Sequence, residues 1–399
     1  MAIEFTDANG IASMALAIDD VDSNITATSF GFTLCDSVYD FYPTLKFQLN
    51  DIYGQFNEYM AFVNGTKFTL SFGSDTDTWK TCSFRVVENS TPEQETSKYI
   101  GGLADLILKH DFCFNQTKKS IAYNDNISNI VKTIANSYHF NQIDIDNTLN
   151  QGIWYQPCVE DDEFITNYLL PYAYSTESNN SPFYCWIDTL NQFHFKNYSK
   201  LLSQNPIRTY YYTSAGTFNA FLNDSVFSFK FLQNSTDKIK NMNNRLVCHF
   251  DKNGNFIQNT KLLTDYPNNI KDPIPIKINK NCVTDVVCEL DDDIESDETE
   301  NNRLGYEINQ HRYAINQDKV IIQVSFDRSL HSGQLIELKV PSVMEENTND
   351  ISLKTSGSYL IETCYHKWDG YRVSTILVCS KQVVKVTNNY RNYKMIVNR

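Results

Sequence analysis

Two stretches far apart in the chain share one plan, and that repetition limits the possible folds more than any other feature. In GTKFTLSF, Phe68, Leu70 and Phe72 follow Gly65 by three, five and seven positions; in GQLIELKV, Ile336, Leu338 and Val340 follow Gly333 at the same distances. A polar loop comes next in both cases. Then a second alternating segment appears, with Cys82, Phe84 and Val86 in the first region and Leu360 within YLIETCY in the second. Tyr99 to Leu108 and Tyr371 to Val378 complete the parallel. Period-two alternation puts one face of each segment into a core and marks these regions as β. Identities between the two are few, so the pattern leaves a true duplication and chance both open.

The β pattern covers Ile25 to Val87, in TATSFGFTL, TLKFQLND, EYMAFV, GTKFTLSF and TCSFRVV, with Gly, Asn and Asp at the breaks. STPEQETS reads as a polar loop. YIGGLADLIL reads as a strand, because the Gly101-Gly102 pair disfavours a helix. The texture changes at Asp125. In DNISNIVKTIANSYHF, Ile127, Ile130, Val131, Ile134 and Tyr138 have helical spacing, with Asp125 or Asn126 as N-cap. EDDEFITNYLLPYAY predicts a second helix whose first turn carries Glu160, Asp161, Asp162 and Glu163. Its apolar stripe is Phe164, Ile165, Tyr168, Leu169 and Tyr172, limited by Pro171. The hairpin FYCWI and QFHFKN turns around Asp188 to Asn191.

Strand signals return in TYYYTSAGTF and SVFSFKF, and again from KVIIQVSF onward. Between them, residues 241–316 read as an insertion with an acidic, solvated loop from Glu289 to Glu300 and breaks at Pro273 and Pro275. The fold class is α+β, mainly β. Domains are expected at 1–110, 111–205, and 206–240 with 317–399, the last interrupted by the insertion.

A chain of 399 residues exceeds what one core usually organises. With 41% apolar and 21% charged residues, global disorder is excluded. The formal net charge of −14 argues against a surface that grips phosphate backbones, which needs clustered Lys and Arg. No basic segment precedes an apolar start and no window is long and apolar enough to span a membrane, so a soluble, cytosolically made protein is expected. The 10 cysteines are scattered, and without an export signal they read as buried thiols.

The chemical motifs are negative. No His-Glu-x-x-His, phosphate-binding glycine loop or Cys-x-x-Cys occurs, and Gly101-Gly102 lacks the third glycine of a dinucleotide site. Glu160 to Glu163 could serve as paired acids, but helix-start charge explains them better. Asp291, Asp292, Asp293, Glu295 and Asp297 could bind calcium, yet they lack the EF-hand spacing and glycine. His194 and His366 fit strand alternation. His110, His139, His194, His249, His311, His331 and His366 show no metal-ligand spacing. No catalytic, cofactor-binding or metal residue is assigned.

The order of elements resembles the baseplate hub protein of contractile-tailed bacteriophages, and more distantly the base of type VI secretion spike proteins. The stretches that carry this are DSVYDFYPTLKFQLND, ISNIVKTIANSYHF, DDEFITNYLLPYAYSTESNNSPFYCWIDTLNQFHFKN, SFDRSLHSGQLIELKVP and SGSYLIETCYHKWDGYRVSTILV. The resemblance implies two similar tube-type antiparallel β-barrels flanking an α+β domain, the second interrupted by an insertion. It implies a homotrimer of pseudo-sixfold symmetry between the hexameric tail tube and the trimeric central spike, in contact with other baseplate proteins. Such a protein sits in the virion tail baseplate, is assembled in the host cytoplasm, and lets genomic DNA pass without specific binding. The rival expectation is a secreted-type carbohydrate-binding or glycosidase-like β protein, suggested by the aromatics and acids.

Overall fold

The structure is a computed structural model that describes residues 2–6, 13–18, 30–51, 65–73, 80–90, 102–175, 181–212, 224–233, 244–250, 256–261, 283–289, 305, 309, 318–340, 355–368 and 373–381. EYMAFV, residues 91–97 of STPEQETS, the calcium candidates and Pro273 and Pro275 lie outside these residues, while Ser90, read as loop, ends a strand.

In the first region, alternation produces β1 (Ala2–Thr6), β2 (Ser13–Ile18), β3 (Phe30–Ser37), β4 (Thr44–Asp51), β5 (Lys67–Gly73), β6 (Lys80–Ser90) and β7 (Gly102–His110). They pair antiparallel in the order β1-β2-β5-β6-β7-β4-β3. Every second side chain turns inward. Phe32, Leu34, Leu45, Phe47, Phe68, Leu70, Cys82, Phe84, Val86, Leu106 and Leu108 thus make one core.

The middle region holds β8 (Lys119–Asn126), α1 (Ile127–Asn136), β9 (Gln142–Ile145), β10 (Gln151–Val159), β11 (Phe183–Ile187), β12 (Gln192–Asn197) and α2 (Tyr198–Leu202). Helix α1 buries Ile127, Ile130, Val131 and Ile134, as its spacing predicts. Asp125 Oδ1 holds the first turn by accepting from Asn126 N and Asn129 Nδ2. The second predicted helix takes a different form: one α turn at Asp161–Glu163, a π turn at Phe164–Leu169 and a 3-10 turn at Leu170–Tyr172. The wide turn lets Leu170 N reach back to Ile165 O. As a result Phe164, Ile165, Leu169 and Leu170 all point inward, while Tyr168, expected in the stripe, is partly exposed. Strands β8 and β10 form an antiparallel ribbon, and β9 pairs parallel with β12 beside the β11–β12 hairpin. The hairpin follows from its local turn, but the β8–β10 and β9–β12 pairings do not.

The third region begins with β13 (Thr209–Tyr211) and β14 (Val226–Gln233). Within the insertion, β15 (Asn244–Phe250), β16 (Phe256–Lys261) and β17 (Val283–Glu289) form a separate three-stranded sheet. The main sheet resumes with β18 (Asp318–Ser325), β19 (Leu335–Lys339), β20 (Gly357–Trp368) and β21 (Val373–Lys381).

Two five-strand arrays now stand side by side with one topology. The first runs β3-β4-β7-β6-β5 and the second β14-β18-β21-β20-β19, so strands taken in chain order occupy the same places. The register agrees residue by residue. Gly65 N donates to Val86 O at 2.8 Å, and Gly333 N donates to Ile361 O at 2.8 Å. Val86 faces Leu108, Leu108 faces Leu45 and Leu45 faces Leu34. Correspondingly, Ile361 faces Cys379, Cys379 faces Val320 and Val320 faces Phe231. A β-bulge interrupts each array at the matching place, between Val86 and Glu88 and between Ile361 and Thr363.

Separate barrels do not describe the junction between the arrays. Strand β20 pairs antiparallel with β3, from Thr363 opposite Ser37 to Trp368 opposite Phe32, so one sheet runs through both. In the second array a single bridge, Tyr211 with Ser225 beside the start of β14, links β13 to the first strand, and among the described residues no pairing closes the first array on itself. Tyr359 through Glu362 are buried consecutively, against the simple alternation, because the array core lies on one side and the middle region on the other.

Asn309, within the predicted insertion, is docked on the middle region of its own chain. Its Oδ1 accepts from Phe183 N at 2.8 Å, and its Nδ2 donates to Ala173 O at 2.8 Å and Pro171 O at 3.2 Å. These backbone groups border a strand start and a proline turn, where no regular partner exists. Asn309→Leu should therefore lower unfolding free energy by about 2 kcal/mol in denaturant melts, through unsatisfied buried groups. The matching glycines should separate in the same assay. Both have positive φ, +97° at Gly65 and +86° at Gly333, but a Cβ at Gly333 would stand 2.4 Å from Trp186 Cζ2, and one at Gly65 meets nothing within 4 Å. Gly65→Ala should cost about 1–2 kcal/mol of backbone strain, and Gly333→Ala about 3 kcal/mol or more through strain and overpacking together.

Candidate functional site

The site that organises the molecule lies where the two arrays and the middle region converge. Asp36, near the end of β3, is fully buried. Its Oδ2 accepts from Thr189 N of the β11–β12 turn at 2.9 Å, and its Oδ1 accepts from Ser332 N before β19 at 3.1 Å. One carboxyl thus ties three parts of the chain. Nearby, Glu362 at the β20 bulge accepts from Tyr39 Oη at 2.9 Å and lies 2.8 Å from Lys319 Nζ, while its carbonyl accepts from Val38 N. Val38, Tyr184, Trp186, Tyr198, Leu201, Leu335 and Leu360 pack around these polar links.

Next to Asp36, Asp188 caps its own turn: Oδ1 accepts from Leu190 N and Gln192 N, and Oδ2 lies 2.9 Å from His194 Nε2. Trp186 stacks on one side of His194 at 4.7 Å between ring centroids, and the His331 ring stacks at 5.9 Å. Asp188, His194 and His331 form a cluster that spacing in the sequence does not reveal. Its hydrogen bonds decide what it can do. Gln334 Oε1 accepts from His331 N, so Nε2 of the same amide donates to Ser329 O and to His331 Nε2. The His331 proton then sits on Nδ1, which faces Ser332 O at 3.0 Å and Asp188 Oδ2 at 3.5 Å. With that nitrogen donating, the cluster is a proton-filled junction and not a ready set of metal ligands.

Burial, followed by the Asp188 carboxylate, pushes Asp36 up to about 7, against the pull of the Thr189 and Ser332 donors. Burial also raises Asp188, but the His194 hydrogen bond, the charges of His331 and His194 and the Gln192 N–H together hold it below its ordinary value. His366 is buried between Thr375 Oγ1 and Leu330 O, and burial lowers it to about 4. His110 is likewise lowered to about 4 by burial.

The acids at Glu160 to Glu163 do not converge on a cleft as a pair. Asp161 is buried and accepts from Lys119 Nζ at 2.6 Å and Gln156 Nε2 at 3.0 Å, while Asp162 accepts from Tyr42 Oη. They hold a helix start against the β8–β10 ribbon. Cys82, Cys364 and Cys379 are buried thiols, raised well above the ordinary range by burial first. No helix among the described residues is long and apolar enough to cross a membrane. The ribbon does expose Ile153 and Tyr155, on the face opposite Trp154. Alternation in QGIWYQ carried that signal.

No protein-family model matches the chain, and no curated protein matches it. Solved structures do. The tail protein from Neisseria meningitidis MC58 matches with a TM-score of 0.56 at 7% identity, over 93% of this chain and 96% of that one. The 43 kDa tail protein of prophage MuSo2 from Shewanella oneidensis matches with a TM-score of 0.54 at 9% identity, over 92% and 96%. The E. coli c3393 protein, a component of the type VI secretion system, gives 0.47 at 10% identity, over 93% and 80%. The chain has the fold of phage tail proteins. The expected likeness to tail proteins is thereby shown at the level of fold.

The junction titrates in a defined direction. An acid whose folded value, about 7, lies above the ordinary 3.8 stabilises the fold while protonated, and that contribution is lost as pH rises through 7. His366 acts oppositely: neutral in the fold, it contributes above 6.5, and the contribution is lost as pH falls to about 4. The two must be separated by comparison. Asp36→Asn should be destabilising near pH 4.5, and the wild-type advantage should shrink by about 3 kcal/mol by pH 7.5. Urea melts at each pH measure it, and a pH-independent difference would mean Asp36 stays ionised.

Proposed function

We propose that this chain is a structural baseplate hub protein of a phage tail, a homotrimer of pseudo-sixfold symmetry that joins the hexameric tail tube to the trimeric central spike. One observation supports this reading above the others: each chain carries two arrays alike in strand order, register, bulge and turn glycine. Three such chains about a threefold axis offer six similar surfaces, and a six-membered tube needs that number. In this reading each array belongs to one tube-type barrel, so that 1–110 is the first, 206–240 with 317–399 the second, and 111–205 the domain between them. The common fold with tail proteins over nearly the whole chain fits the same assignment.

The mechanism is geometric, and no catalytic step belongs to it. The junction at Asp36 and Glu362 holds the two arrays at a fixed angle, so the ring is stiff where the tube lands on it. The middle region, with Ile153 and Tyr155 exposed, and the insertion face neighbouring chains, the spike or other baseplate proteins. A surplus of carboxylates, net −14, repels the DNA that passes through the channel. The protein resides in the virion tail baseplate after assembly in the host cytoplasm.

Electron microscopy of the full chain copurified with its tail tube protein tests the reading. Three copies of this chain under one six-membered tube ring, with six similar lobes in axial view, is the expected image. Six copies per ring, or attachment to the outer baseplate alone, would replace the hub assignment by another tail position.

A further inference from the structure

We infer that the outward face of the continuous sheet is a docking surface for an acidic, partly apolar segment of another protein, and that this segment lies across the seam between the two arrays. The face is the one opposite the array cores, and strand register fixes which side chains share it. One row runs from Lys367 on β20 through Thr33 on β3 and Lys46 on β4 to Ile107 on β7. The row beside it runs from Ile376 on β21 through Tyr365, Cys35 and Thr44 to Lys109 on β7. Both rows cross from the second array into the first.

Charge sets this face apart from the rest of the chain. The whole protein carries a formal net charge of −14, yet Lys46, Lys109 and Lys367 are exposed here and form no ion pair among the described residues. Arg85 and Lys67 extend the second row onto β6 and β5, and their charge is met by Asp111 beyond the end of β7. The acids on the same face, Glu88 opposite Ile107 and Asp105 two residues before it, stand on β6 and β7, away from Lys367. A single solvated lysine needs no partner. Lysines set among half-buried Ile107, Tyr365 and Ile376 make a face of mixed charge and apolar surface, which water alone serves poorly.

The same geometry selects the kind of partner. Lys367 and Lys46 stand two strands apart, about 10 Å, a looser spacing than the clustered cations that grip a phosphate backbone. Net charge opposes nucleic acid at longer range. A polypeptide that alternates carboxylates with apolar side chains meets both components of the face, pairing the lysines and covering the apolar groups. Docked there, it bridges the two arrays. The inference does not need the hub assignment, since it uses only the face that one chain presents.

Fluorescence anisotropy on the full chain tests it, with a fluorescein-labelled peptide of repeated Glu-Leu-Ser units. The expected result is binding that weakens about tenfold or more when Gln replaces each Glu, and by as much when Lys46→Gln, Lys109→Gln and Lys367→Gln are combined, since three exposed ion pairs together are worth that factor. Lys118→Gln with Lys132→Gln, exposed positions on the middle region, should leave affinity unchanged. Carbodiimide coupling on the unmodified chain is independent of how any variant folds: peptide carboxylates should join Lys46, Lys109 or Lys367 ahead of Lys118 and Lys132. No binding, binding indifferent to the Glu residues or to the triple variant, or coupling elsewhere overturns the inference. A short DNA duplex bound more tightly than the peptide also overturns it and assigns the face to nucleic acid. Each of these outcomes leaves the number of chains per tube ring, and so the hub reading, where it stands.

Discussion

The backbone pairing of β3 with β20 is the contact on which the rest of the molecule depends. Strands in a sheet are held at one spacing and one range of twist, so edge pairing fixes the two arrays far more tightly than side-chain contact could. It also brings Trp368 of the second array into the core of the first, beside Phe326 and Val373. In the proposed hub role fold and mechanics would meet there, since adapting one symmetry to another requires the two halves to be held at a set angle.

Covering that seam with the middle region creates a second constraint. A sheet face under an α+β unit must bury whatever polar groups its ends carry, and Asp36, Glu362 and Asp188 are such groups. Each meets a group from a distant part of the chain, Thr189 and Ser332 for Asp36, Tyr39 and Lys319 for Glu362, His331 for Asp188. Removing one side of such a link leaves a buried polar group without its partner, a cost that favours the one docking of the three regions in which all are satisfied.

The core of each array was legible because period-two alternation survives in any strand with one buried face. Phe68, Leu70, Cys82, Phe84 and Val86 were readable for that reason. Helix α1 was readable because its apolar residues follow the helical period without a breaker. The 160–174 segment was misread as a regular helix because hydrophobic spacing cannot distinguish an α from a π turn, and the register of Leu170 depends on packing. Asp36, Asn309, His331 and Ser332 carried no local signal at all. Their roles arise from partners far away in the chain.

Amino-acid order alone marked two β regions around an α+β unit and left open whether they are alike, since apolar periodicity and turn glycines act over a few residues. Tertiary structure decided that the two regions match strand for strand, that they share one continuous sheet, and that three buried acids lie where they meet. Those outcomes depend on which backbone groups find partners across hundreds of residues, and no short-range pattern encodes that choice.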